Sequence, residues 1–236
     1  MRTYSTHSGR FVRRPHFSDQ EFETICSDEL AGVDLLPKTP QPIRIDRFIE
    51  KRFGISPEYG DLPHPFLGVT IFGERGVERI VVARHLDDDG SLVSRRRVRT
   101  TLAHESGHGV LHTHLFALDS SDPPLFGDLS EPSAPRVLCK VDLANSSGRT
   151  GRYEGDWAEF QANRAMGALL LPRSLVQAAV APYLMSVGTL GRRELDCGRS
   201  DEAIRVLAET FDVNPIAVRF RLGCLYPSSN ELQGNL

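Results

Sequence analysis

Apolar and polar positions divide the chain into short amphipathic blocks separated by proline, glycine and acidic turns. Ser18 followed by Glu21 forms a capping box, which predicts a helix to about Leu30. Pro37, Pro40 and Pro42 then break the chain. Apolar residues recur at helical spacing at Ile45, Phe48, Ile49 and Phe53, so a second helix is expected over 43–53, ended by Gly54. Two apolar runs of strand length, 67–72 and 77–83, flank Gly73-Glu74-Arg75-Gly76 and read as a β-hairpin. Beyond the acidic turn Asp87-Asp88-Asp89-Gly90, helical spacing begins near Ser94 and runs to about His112.

The second half is mainly helical in pattern. Residues 119–155 carry many Pro, Ser and Gly and read mostly as loop, and a loop of that length in a compact domain is often functional, for instance as a lid. A helix is expected over 156–171, and Pro172 restarts the chain in a helical turn toward Tyr183. Residues 188–199 read as a connector, Ser200 as the cap of a helix ending near Phe211, and Asn214-Pro215 as the start of a last helix ended by Gly223. Residues 1–17 and 227–236 are expected to be flexible ends. The main domain is expected over 18–185, with a helical pair over 186–226 packed on it or appended to it. A small antiparallel sheet packed on a bundle of helices makes the expected class α+β.

Composition narrows the functional classes. A chain of 236 residues with 40% hydrophobic content is large enough to bury a core as one domain with a small appendage. Its formal net charge of −3 gives no overall electrostatic drive toward nucleic acid or an anionic membrane, and direct nucleic-acid binding is not expected. The longest apolar run, near Ala168, is far too short to span a bilayer. Arg2, Arg10, Arg13 and Arg14 precede the first acid, but no apolar stretch follows them, so a secretory leader is not expected. Cys26, Cys139, Cys197 and Cys224 are widely spaced and read as reduced thiols, which suggests a cytoplasmic protein.

The chemistry concentrates at His104-Glu105-Ser106-Gly107-His108, an HExxH sequence inside an expected helix. Residues four apart share a helical face, about 6 Å from turn to turn, so the two imidazoles can converge on one ion. Glu105 is then beside the ion without binding it, where it can take the proton of a zinc-bound water. A catalytic zinc needs a third protein ligand and an open position. His112, His114, Asp119, Asp156 and Glu159 are candidates, and a ligand from a second helix is geometrically better than a third from the same one. Glu159 is the preferred choice, because Asn163 follows one turn later and its carbonyl oxygen can accept the free N–H of a ligating imidazole. Asp156 and Glu159 also fit a capping pair at a helix start.

The stretch from Thr100 through His104-Glu105-Ser106-Gly107-His108 to His112 resembles the signature of ImmA/IrrE-type zinc metallopeptidases. So does the downstream Trp157-Ala158-Glu159-Phe160-Gln161-Ala162-Asn163, with its Leu169-Leu170-Leu171-Pro172 ending. The likeness covers about 42–172 and, more weakly, the final helices. It implies a compact zincin-like domain with the HExxH helix at the cleft, zinc held by His104, His108 and Glu159, and peptide hydrolysis. It further implies a protein substrate, in several members a helix-turn-helix repressor. The inserted 119–155 segment lengthens the gap between the two motifs beyond that of compact members.

Several other features have competing readings. Arg95, Arg96, Arg97 and Arg99 are expected to be a solvated charge run, with steering of an acidic partner as the alternative. Cys139 reads as a plain reduced thiol, with a zinc-capping thiolate as the alternative. Candidates for stabilising an oxyanion are Tyr153, His112, His114 and Arg164. The competing function is a regulatory protein with structural metal, in which 203–224 forms a helix-turn-helix that offers Arg219 and Arg221 to DNA.

Overall fold

Capping chemistry fixes the first helix. The computed structural model describes residues 2–5, 13–88, 90–117, 136–139, 157–187 and 191–227. Helix α1 (Asp19–Gly32) starts at Ser18, whose hydroxyl accepts the Glu21 N–H while the Glu21 carboxylate accepts the Ser18 N–H. It buries Phe22, Cys26 and Leu30, spaced four apart along one face. Helix α2 (Ile45–Phe53) buries Ile45, Phe48 and Ile49 and stops at Gly54, which takes the left-handed conformation (φ 72°) that a side chain would disfavour.

Ahead of α1, strands β1 (Arg2–Ser5) and β2 (Arg13–His16) pair antiparallel, within the stretch expected to be a flexible end; residues 6–12 between them lie outside the described residues. The central sheet runs in the order β3-β5-β4-β6, with β3 (Glu58–Gly60), β4 (Gly68–Gly73), β5 (Gly76–Ala83) and β6 (Arg136–Cys139). The expected hairpin is β4–β5, turning at Glu74-Arg75. The sheet is not wholly antiparallel, since β3 adds parallel to β5. β6 pairs antiparallel with β4 and puts a strand within the stretch read as loop; the remainder of 119–155 lies outside the described residues.

Helix α3 (Leu92–Ala117) begins two residues before the expected start, where the Ser91 hydroxyl accepts the Ser94 N–H. Residues 100–109 are all buried, because α3 lies between the sheet and α4 (Trp157–Leu170). Pro172 then opens α5 (Arg173–Val180). The expected connector contains an antiparallel hairpin, β7 (Leu184–Val187) with β8 (Arg192–Leu195). Helix α6 (Ser200–Thr210) has Ser200 as its first residue and no side-chain cap. Helix α7 (Pro215–Leu225) is capped by Asn214 as expected, but it continues through Gly223 rather than ending there.

One large apolar core joins α1, α2, α3, α4, α5, α6 and α7 to the inner face of the sheet, where Ile80 and Val82 lie. Val69, Ile71 and Val81 form a smaller cluster on the opposite face. The architecture is α+β. No single helix among the described residues is long and apolar enough to cross a membrane.

Arg221 is buried (3% exposed) and its guanidinium spans α1 and the end of α4. It donates to both Glu23 carboxylate oxygens at 2.6 Å and to the Leu171 carbonyl at 2.9 Å. It is therefore closed to a DNA contact, against the helix-turn-helix alternative. Part of the arginine run is likewise structural: Arg96 pairs with Asp212 at 2.9 Å, and Arg99 donates to the Asp212 and Ile43 carbonyls. Only Arg95 and Arg97 of that group are exposed, as a solvated run requires.

Candidate metal centre

The centre forms where α3 crosses α4 at close range. At Gly107 a Cβ would lie 2.9 Å from the Ala162 carbonyl oxygen and 3.0 Å from the Ala165 Cβ, so only glycine permits that approach. On the sheet side, a Cβ at Gly109 would meet Val77 at 2.9 Å, and one at Gly68 would meet the Glu105 carboxylate at 2.5 Å. The small residues in and around HExxH thus let a helix carrying three functional side chains pack tightly on both sides.

His104 and His108, one turn apart on α3, bring their Nε2 atoms to 3.1 Å. Glu159 on α4 reaches both, with Oε2 at 3.2 Å from His104 Nε2 and Oε1 at 3.2 Å from His108 Nε2. The three form a His/His/carboxylate group able to hold a metal ion. Both histidines are fully buried, and the Glu159 side chain is 25% exposed. His104 Nδ1 lies 3.0 Å from Asn163 Oδ1, the partner expected from the sequence. A side-chain carbonyl only accepts, so Nδ1 carries the proton and Nε2 presents its lone pair to the centre. A nitrogen lone pair, a neighbouring imidazole nitrogen and a carboxylate held together at this range could hold a cation, or share a proton, between them.

Glu105 points from α3 toward the sheet and is fully buried. Its Oε2 accepts the Thr70 hydroxyl at 2.6 Å, while its Oε1 has no hydrogen-bond partner among the described residues. Burial raises its pKa, against the lowering effect of His108, His104 and the Thr70 bond. Burial alone would raise Glu159, but the charges and hydrogen bonds of His104 and His108 hold it well below the usual carboxylate range. Burial would lower His104, yet Glu159, with help from Glu105 and Asn163, raises it.

His112 is buried one turn beyond His108 and stands outside the His/His/carboxylate group. Its Nδ1 meets His108 Nδ1 at 3.0 Å and its Nε2 meets Gln161 Oε1 at 3.0 Å, so both ring nitrogens are engaged. Burial, then the proximity of His108, pushes its pKa down to about 3. His114 is exposed and stands outside the ligand group, and Arg164 is turned toward Asp19 of α1 at 3.2 Å. Tyr153, Asp119 and Asp156 lie outside the described residues, as does the Cys139 side chain.

Sequence reasoning missed Thr70 and Gln161. The available signal for Thr70 was a hydroxyl in an apolar strand, at a position that alternation assigns to the same face as Gly68. The signal for Gln161 was its place between Glu159 and Asn163. No protein-family model matches the chain, and no curated protein sequence matches it either.

Proposed function

We propose that the chain is a zinc-dependent peptidase that hydrolyses a peptide bond in a cytoplasmic protein. The observation that carries this reading is the convergence of His104, His108 and Glu159 at 3.1–3.2 Å, with the buried Glu105 carboxylate alongside. Tetrahedral zinc bound at about 2.0–2.2 Å has ligand–ligand edges of roughly 3.3–3.5 Å, close to these separations. Two imidazoles and one carboxylate leave a fourth position open, the donor set of hydrolytic rather than structural zinc. Among the described residues no cysteine joins the group, as a closed structural site would ordinarily require.

Zinc, when bound, supplies Lewis acidity and lowers the pKa of water to about 7. The residues of the chain do the rest. His104 and His108 present Nε2 lone pairs, with the His104 tautomer fixed by Asn163. Glu105 takes the proton of the attacking water on its free Oε1 and returns it to the departing amine, while Thr70 holds Oε2 in place. Burial raises the Glu105 pKa, the direction that makes a carboxylate readier to take up a proton.

The likeness to ImmA/IrrE-type peptidases supports a folded protein substrate, and within that class a helix-turn-helix repressor. The competing reading, a DNA-binding regulator with structural metal, loses one of its two candidate cations to the buried Glu23–Arg221 pair. Elemental analysis of the purified chain should find about one zinc, and His108→Ala should lose it. Glu105→Gln should keep zinc while cleavage falls by ~10²–10⁴-fold, because an amide retains the shape but cannot act as the base. Full zinc retention by His108→Ala, or near-normal cleavage by Glu105→Gln, refutes the assignment.

A further inference from the structure

We infer that His112 and Gln161 are positioning residues that fix His108 for metal binding, and that a backbone carbonyl of the N-terminal hairpin sets the direction of the whole relay. The inference rests on the metal-site reading above and adds residues for which the HExxH motif and Glu159 have no role.

The starting point is the Pro15 carbonyl of β2, which accepts from Gln161 Nε2 at 2.6 Å. A carbonyl cannot donate, so the amide group of Gln161 must face Pro15 and its Oε1 must face the other way. Oε1 lies 3.0 Å from His112 Nε2 and can only accept, so His112 carries a proton on Nε2. The neutral ring then offers a lone pair at Nδ1, 3.0 Å from His108 Nδ1. His108 in turn must donate from Nδ1, which leaves its Nε2 lone pair facing Glu159 and His104. Four groups in series therefore have one consistent arrangement of protons, and it is the arrangement a metal ligand needs. His104 reaches the same state by a shorter route through Asn163.

Packing keeps the relay in register. The His112 ring meets the Trp157 ring edge-on at a centroid distance of 5.2 Å, and the Arg14 guanidinium lies 5.8 Å from the centre of the same indole. Pro15 is buried and Gln161 nearly so (5% exposed). The hairpin made by β1 and β2 thus closes over the start of α4 and presents a carbonyl to Gln161. An imidazole held in one tautomer and orientation binds zinc more tightly than one free to turn, and losing such a partner typically costs ~10–100-fold in affinity.

The test uses the full chain, zinc as the probe and a competing chelator to read affinity. His112→Phe keeps a buried ring but removes the acceptor, and should weaken zinc binding ~10–100-fold. His112→Asn places Oδ1 where Nδ1 stood and should recover most of that loss. Gln161→Leu, which leaves His112 without its outer partner, should weaken binding in the same direction. Nitrogen-15 spectra of the zinc-loaded wild-type chain should show His108 protonated at Nδ1 with the metal on Nε2, and His112 protonated at Nε2. Unchanged affinity in His112→Phe and Gln161→Leu overturns the relay, as does metal on His108 Nδ1. Equal weakening in His112→Phe and His112→Asn also overturns it, since that is what lost packing alone would give. A wild-type chain that binds no zinc removes the metal-site reading itself, whereas a zinc-binding wild type with indifferent variants removes only this inference.

Discussion

At the scale of single residues, the site sets two carboxylates to opposite purposes. Glu159 is stabilised as an anion by His104 and His108, and Glu105 is pushed toward its protonated form by burial. The difference comes from their partners: Glu159 faces two imidazoles, while Glu105 faces the sheet and accepts from the Thr70 hydroxyl. That hydroxyl lowers the Glu105 pKa, so Thr70→Val should raise it further. A base with a raised pKa is ionised only at higher pH, and the acid limb of the pH–rate profile should therefore move upward. The maximal rate above that limb should change less than the limb position does. Cleavage rates measured across the pH range would check this, and an unmoved or lowered acid limb would count against Thr70 as the group that tunes the base. The placing of His104, His108 and Glu105 together was legible in the sequence because their geometry is local to one helix. Glu159 with Asn163 was legible for the same reason on a second helix. The contacts of Thr70, Gln161 and His112 depend on which strand and which helix pack against α3, and helical spacing does not carry that information.

At the scale of elements, the His104–His108–Glu159 group comes together because α3 and α4 pack at close range. Gly107 meets Ala162 and Ala165 at distances that leave no room for a side chain. Gly107→Val should force the two helices apart, at a cost of about 1–3 kcal/mol typical of overpacking. Its more telling effect should be on zinc affinity, because Glu159 and Asn163 travel with α4 while both imidazoles stay on α3. Urea unfolding together with chelator competition would separate the two effects, and zinc affinity equal to wild type in this variant would show that the helix spacing is not what sets the site. The elements that pattern reading found are those with a strong periodic face or a good cap, such as α1 with its Ser18 box and α2 with Gly54 behind it. The strand pairs β1–β2 and β7–β8 escaped because each strand is only four residues long, too short for an alternation to be read, and β2 and β8 each open on two arginines. The parallel addition of β3 to β5 was equally hidden, since a three-residue strand carries almost no pattern.

At the scale of the molecule, the question is whether the last two helices are an appendage or part of the fold that holds the metal group. Sequence left both readings open, because a short helical pair after a connector looks the same in either case. The core answers for integration. Ile204 and Leu207 of α6, Phe211 beyond it, and Leu222 of α7 lie in the same apolar cluster as Phe22 and Leu30 of α1 and Met166 and Leu169 of α4. Burial of those four C-terminal side chains stabilises the fold by roughly 6–12 kcal/mol at about 1.5–3 kcal/mol each, comparable with the whole stability of a typical domain. The Glu23–Arg221 pair adds a polar tie between α1 and α7 at the end of α4. Two perturbations of different severity test this. Glu23→Ala leaves a buried guanidinium without its counter-charge and should destabilise the chain by about 3–5 kcal/mol. A chain ended before Ser200 should lose its cooperative unfolding transition, and its metal with it, because α4 would lose the packing on the side away from α3. Thermal and urea unfolding, with metal analysis of the soluble fraction, would measure both. A shortened chain that melts cooperatively and keeps one metal would show that α6 and α7 are dispensable to the site and return them to the status of a separate module.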